Sequence, residues 1–252
     1  MTITSKDNEK LKLVRKLADR KHREREGLFV TEGEDLLKAG RSAGREPTVL
    51  LTREGEGLGG LEVERELLDA ASTLGSGSRA IAIWPLPSPP EEGKRPGLRP
   101  IGRTDGRLPG EGAVCVYLHG VGDPGNVGSI VRSAGALADA WVALGPECAD
   151  PYGPKAVRAS MGAIFSVHIS RCDITETPAP RVSLVAHGGA SQLATDARTL
   201  CLGAERDGLP QTIIDATDAT WTIPMRPDAV ESLGVAAAAA IALSRIGSRV
   251  GE

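Results

Sequence analysis

The sequence predicts an α/β protein made of two successive units, residues 1–87 and residues 113–252, separated by a linker over residues 88–112. Three observations carry this. Apolar runs of strand length alternate with segments of helical periodicity in both units. The runs of the second unit are continuously apolar, as expected of strands covered on both faces in a parallel sheet. Between the units, residues 85–112 contain seven Pro and six Gly with almost no periodic apolar pattern, which marks a linker or long surface loop.

Residues 6–25 are free of Gly and Pro, and Leu11, Val14, Leu17 and Ala18 recur at helical spacing, so one leading helix is expected, closed by Gly27 as a C-terminal cap. Nine Lys and Arg against five Asp and Glu give residues 1–26 a charge of +4. Both a solvated helix face and a phosphate-contacting surface carrying Lys10, Lys12, Arg15 and Lys16 fit that charge. A strand at 28–30, a helix at 34–39, a strand at 48–52, a helix at 61–74 and a strand at 80–84 complete the first unit. The second unit opens with a strand at 114–118, a helix at 127–138 and a strand at 141–144. Strands at 182–186 and 200–203 follow, and an alanine-rich helix at 231–246 ends the series.

Composition removes several classes of function. No apolar run approaches the roughly 18 residues that a membrane helix requires, and the charged start lacks a secretory signal, so the cytoplasm is the expected compartment. Cys115, Cys148, Cys172 and Cys201 are too widely spaced for a zinc pattern and too few for a disulfide framework, and read as buried thiols. His22, His119, His168 and His187 form no HxxxH pairing, so no metal is expected. A net charge of −3 argues against non-specific coating of nucleic acid.

The chemistry-bearing candidates begin after the first strand of the second unit. Gly120, Gly122 and Gly125 satisfy G-x-G-x-x-G, with Glu147 downstream at a distance suited to a ribose, so a dinucleotide-binding oxidoreductase is one reading. Pro124 opposes it, because a phosphate-binding turn would offer a backbone N–H there. The other reading centres on Asn126 and Arg132. Val127, Ile130, Val131, Ala134 and Leu137 form an apolar stripe that leaves Arg132 off the buried face. Two further motifs follow in order: residues 202–209, LGAERDGL, after a buried strand, and Ile223-Pro224-Met225 with Glu231-Ser232-Leu233 before the alanine helix.

Together with residues 150–163, these motifs resemble the three signature motifs of the SpoU, or TrmH-like, branch of the SPOUT RNA 2'-O-ribose methyltransferases. Residues 28–37, LFVTEGEDLL, are similar to the RNA substrate-binding N-terminal domain of many members, an L30e-like α/β domain. The resemblance implies S-adenosyl-L-methionine as cofactor, a deep trefoil knot in the second unit and a homodimer. The run Ala236–Ala240 is compatible with that dimer, and equally with an ordinary buried helix. The resemblance further implies that Asn126, Arg132 and Glu205 act in catalysis and that main-chain groups at Gly203, Ile223 and Leu233 hold the adenosyl moiety. Structured RNA is the implied partner, ribosomal before transfer RNA. With only 3% aromatic residues, recognition through shape and phosphates is favoured over base stacking. One departure stands out: the third motif reads Ser232-Leu233-Gly234, where the family usually has Asn after Ser-Leu, and a catalytically weakened RNA-binding relative is the alternative this leaves.

Overall fold

The computed structural model of the protein describes residues 2–73, 77–87, 99–100, 112–226, 230 and 232–247. Most of the 88–112 stretch and Glu231 of the third motif lie outside the described residues. In the first unit, helices α1 (Glu9–Lys16) and α2 (Arg20–Glu26) precede strand β1 (Leu28–Glu32), helix α3 (Glu34–Ser42), strands β2 (Val49–Arg53) and β3 (Leu61–Val63), helix α4 (Arg65–Ala71) and strand β4 (Ala80–Pro85). The four strands form one sheet in the order β1-β4-β2-β3, antiparallel except for the β2–β3 pair.

Two expectations fail in this unit. The single leading helix is broken into α1 and α2, because Asp19 leaves the helical region at φ −89° and ψ 132° and its carboxylate accepts from the Lys21 N–H. An aspartate that satisfies its own neighbouring backbone competes with helix continuation. The break also lets Leu17 join Leu11 and Val14 in the core. Residues 61–63, expected to begin a helix, instead pair with β2 in the register Leu51↔Leu61 and Arg53↔Val63. Val63 is buried while Leu61 faces out, an alternation too short for periodicity to reveal.

The second sheet contains strands β5 (Arg99–Pro100), β6 (Val114–Leu118), β7 (Ala140–Leu144), β8 (Ile169–Arg171), β9 (Arg181–Leu184), β10 (Thr199–Leu202) and β11 (Ala219–Trp221). Their order is β11-β9-β10-β6-β7-β8-β5, and every adjacent pair is parallel except β5 with β8. The two-residue β5 therefore gives the expected linker one piece of regular structure. Helices α5 (Pro124–Leu137), α6 (Pro154–Ala159), α7 (Gln211–Ile214) and α8 (Val235–Gly247) complete the unit. Among the described residues no helix is long and apolar enough to cross a membrane.

All five residues of β6 are buried. Val114, Val116 and Leu118 face the cluster containing α5 and α8, while Cys115 and Tyr117 face Trp141, Ala143 and Cys201 on the other side. Cys115, Cys148 and Cys201 are buried and Cys172 is half-buried, and burial pushes all four thiols above their ordinary pKa.

The two units are packed together. The Phe29 ring meets that of Tyr152 edge-on at 5.1 Å, and Trp84 meets Phe165 at 4.7 Å. Beside this aromatic contact, the buried Arg23 of α2 places Nη2 2.6 Å from Asp150 Oδ2 and donates through Nη1 to the carbonyls of Leu17 and Ala18, each at 2.7 Å. Removing one member of such a pair leaves the other charge desolvated and unpaired. Arg23→Met is therefore expected to lower stability by about 3–5 kcal/mol, read as a shift of the urea midpoint at unchanged slope.

Candidate functional site

Parallel strands release the loops that follow them at one edge of the sheet, and ligands of open α/β folds bind in crevices there. At that edge the segments after β9, β10 and β11 enclose a cleft of about 430 Å³, within the range of small-molecule sites. Leu184, Leu202, Leu209, Ile223 and Leu233 supply apolar wall, while the exposed Glu205, Arg206 and Asp207 stand at the mouth.

The tightest part of the cleft is main chain. Ala204 N–H donates to the Gly208 carbonyl at 3.1 Å and Gly208 N–H returns a bond to the Ala204 carbonyl at 3.0 Å, with Gly208 closing the turn at φ +66°. A Cβ on Gly203 would lie 2.1 Å from the Gly208 carbonyl carbon, so only glycine permits this approach. Gly203 of one motif and Ile223 and Leu233 of the next line the same cleft.

The loop after β6 meets this rim through side chains. Asp123 caps α5, its Oδ1 accepting from the Asn126 N–H at 3.0 Å and its Oδ2 accepting from Lys155 Nζ at 2.7 Å. The Lys155 bond is the main cause holding the Asp123 carboxyl below its ordinary pKa. Asn126 Nδ2 in turn donates to Glu205 Oε1, joining two motifs 79 residues apart. Arg132 is exposed on α5 and does not line the cleft. Six residues at about 1.5 Å rise place it about 9 Å along the helix from Asn126.

This geometry overturns the dinucleotide reading of Gly120, Gly122 and Gly125. Pro124 takes the first turn of α5 and the Asp123 carboxylate occupies the donor of Asn126, so a pyrophosphate would meet a fixed negative charge where it needs free N–H groups. Glu147 is exposed on the loop after β7.

The four cationic candidates on α1 are differently engaged. Lys12 pairs with Asp7 at 3.0 Å, Arg15 donates to the carbonyls of Lys6 and Leu11, Lys10 is half-buried and Lys16 is exposed. Sequence reasoning missed Lys155, although it lies within the family-like stretch 150–163, because nothing local ties it to Asp123. It also extended β9 to residue 186. The strand ends at Leu184, which frees Val185, Ala186 and His187 to line the cleft.

Fold and cleft together define an α/β protein with a small-molecule site outside the carboxyl ends of a parallel sheet, formed by three loops. The chain belongs to the SpoU rRNA Methylase family, whose pattern matches residues 113–244, and residues 8–76 match the MRM3-like substrate binding domain. It is 34% identical over 152 residues to an uncharacterized tRNA/rRNA methyltransferase of Mycobacterium bovis, with 53% of this chain and 52% of that protein aligned. The chain thus spans about half the length of that relative. It is 28% identical to the 23S rRNA (guanosine(2553)-2'-O)-methyltransferase RlmP of Bacillus subtilis, over 95% of this chain and 96% of the relative. An AdoMet-bound rRNA methyltransferase from Sinorhizobium meliloti superposes with a TM-score of 0.80 at 26% identity, covering 99% of this chain and 98% of that one.

Gly203→Ala is expected to displace the 208–209 main chain, to destabilise the protein by about 1–3 kcal/mol and to raise amide exchange across residues 204–209. A thermal melt with peptide-resolved hydrogen exchange reads both effects.

Proposed function

We propose that the protein transfers a methyl group from S-adenosyl-L-methionine to a ribose 2'-hydroxyl of ribosomal RNA. One observation carries the proposal: in a chain of the SpoU family, residues from the second and third motifs build one cleft, and Asn126 of the first motif is hydrogen-bonded to Glu205 at its rim. The name of the B. subtilis relative and the AdoMet bound by the S. meliloti neighbour support the choice of substrate and cofactor. In this reading residues 1–87 are the RNA-binding domain, L30e-like, with the basic face of α1 contacting phosphates, and residues 113–252 are the methyltransferase domain.

The cleft fits the cofactor. Its volume suits an adenosyl group, its walls are apolar, and the glycine-tight turn at Gly203 brings main chain where a side chain would intrude. Main-chain groups of Gly203, Ile223 and Leu233 would hold the adenine. The bound cofactor supplies an activated sulfonium methyl. The protein's part is alignment of the ribose hydroxyl and stabilisation of the charge that develops as the hydroxyl proton leaves, with positioning contributing most of the rate. A guanidinium is a poor base, so Arg132 serves as a donor to the developing alkoxide. Asn126, oriented by Glu205, positions the hydroxyl.

The same reading brings a trefoil knot to the second unit. It is supported by the path of the chain, which leaves the edge strand β11 and returns across the sheet so that α8 packs on α5 and near β10. It also brings a homodimer, for which the exposed Ala237 in the alanine run of α8 offers close approach.

Arg132→Ala is expected to abolish transfer to unmodified 23S rRNA while calorimetric affinity for S-adenosylhomocysteine stays within a few-fold. Equal loss of both would make Arg132 a structural residue.

Gly234, the departure from the family pattern, is at the N-cap of α8: its carbonyl accepts from the Ala238 N–H at 3.0 Å. It is not among the positive-φ glycines, and an added Cβ would meet nothing within 4 Å. Asn would therefore be unstrained there, and it is a favoured N-cap residue. Gly234→Asn is expected to change the transfer rate by at most about tenfold, the worth of one hydrogen bond, at constant cofactor affinity. Wild-type protein that binds cofactor without transfer, with activity restored by Gly234→Asn, would establish the weakened-relative alternative.

A further inference from the structure

At the junction of the two units, Arg171 has no anion partner among the described residues. Arg171 closes β8 and is half-buried. Its one hydrogen bond is long, 3.5 Å from Nη2 to the Cys148 carbonyl, and among the described residues no carboxylate lies within ion-pair distance. Burial is the largest influence on it and the nearby Arg20 the second, both disfavouring its charged form. Arg20 gives Nε to Glu24 at 2.7 Å, and Arg23 is committed to Asp150 and two carbonyls. Asp150 and Glu24 favour the half-buried Arg171 charge only from beyond ion-pair distance, because each is already engaged by another arginine. Such a charge opposes folding unless an anion offsets it.

Its place matters as much as its charge. Arg171 ends a parallel strand, so it lies at the same edge of the sheet as the cofactor cleft and the Asn126 loop. In the order β10-β6-β7-β8 it is two strands from β6, about 10 Å at roughly 4.8 Å per strand. A polyanion whose ribose sits at the Asn126 rim and which runs along this edge over β7 meets Arg171 and Arg20 next. On α1, Lys12 and Arg15 are engaged with Asp7 and main-chain carbonyls, and the helix packs on α4 of the first unit.

We propose that Arg171 and Arg20 together bind one backbone phosphate of the RNA substrate, across the seam between the two units. The planar guanidinium fork suits a phosphate oxygen pair. The identification of the anion as RNA rests on the methyl-transfer reading; the anion site itself does not.

The test uses the full chain and unmodified 23S rRNA transcript as probe, with affinity measured across a salt series. Arg171→Gln, and the double variant with Arg20→Gln, should weaken binding about five- to tenfold and lower the log–log salt slope by roughly 0.7–0.9 for each phosphate no longer neutralised. S-adenosylhomocysteine affinity should not move. Because the unneutralised guanidinium opposes folding, Arg171→Gln should melt at or above the wild-type temperature; a lower melting temperature would make Arg171 structural and overturn the proposal. An unchanged slope, or one lowered only by replacing Lys10, Lys12, Arg15 and Lys16 with Gln, would also overturn it. So would stabilisation of the wild type, but not of Arg171→Gln, by inorganic phosphate alone while RNA binding stays equal in both. Normal methyl transfer with an unchanged slope would refute the phosphate site alone. A lowered slope in a protein that methylates no RNA would refute the activity and uphold the site.

Discussion

Six neighbouring strands of the second sheet run in the same direction, and from that single constraint the location of the site follows. A parallel ladder discharges every succeeding loop at one edge, so residues 119–126, 145–153, 185–187, 203–209 and 222–226 converge although they are scattered over a hundred positions of sequence. Backbone bonds then lock the loops to one another: Gly120 N–H donates to the Pro146 carbonyl and Ala149 N–H to the Val121 carbonyl, at 3.0 and 2.9 Å. The fully buried β6 anchors the arrangement between the two apolar faces of the sheet. The cleft is therefore a consequence of strand direction and burial before any catalytic side chain is considered.

What the sequence revealed and what it hid divide along a physical line. Long elements with a complete period, such as α5 and β6, carry their own signal, and the cap at Gly27 is local chemistry. The three-residue strands β3, β8 and β11 and the short helices α6 and α7 contain less than one usable period, and tertiary contacts alone hold them in place. The break at Leu17–Asp19 went unseen for a different reason: helix propensity favours continuation, and only the burial of Leu17 and the Asp19 cap outweigh it. Of the site, residue types and their order were legible through resemblance, and the Asn126–Glu205 contact was not, because no periodicity links positions 79 apart.

The seam between the two units shows how unequally chemically similar groups can be supplied with counter-charge. Arg23 is buried and fully supplied with acceptors, so it fixes the orientation of α2 against the loop carrying Asp150. Arg20 pairs with Glu24, and Arg171 is the one of the three with no carboxylate within ion-pair distance among the described residues. A residue that served only to hold the units together would be placed as Arg23 is. The contrast between satisfied and unsatisfied guanidiniums within one small region is what distinguishes an interface contact from a ligand site, and composition offers no view of it, since the chain as a whole is acidic.

In the proposed reading, main-chain groups hold the cofactor within apolar walls, and this bears on which departures a sequence of this kind can tolerate. Where the groups facing the ligand are backbone, a change of side chain alters affinity only if it moves the backbone. Gly203 is such a position, because its Cβ would collide with residue 208. Gly234 is the opposite case: it has open space, an unstrained backbone and an N-cap role that Gly fills nearly as well as Asn. The loss of an amide there removes a hydrogen-bonding option without deforming the walls. Two glycines of neighbouring motifs thus stand in opposite relation to the same cleft, one indispensable to its shape and the other a replaceable adjunct to its chemistry.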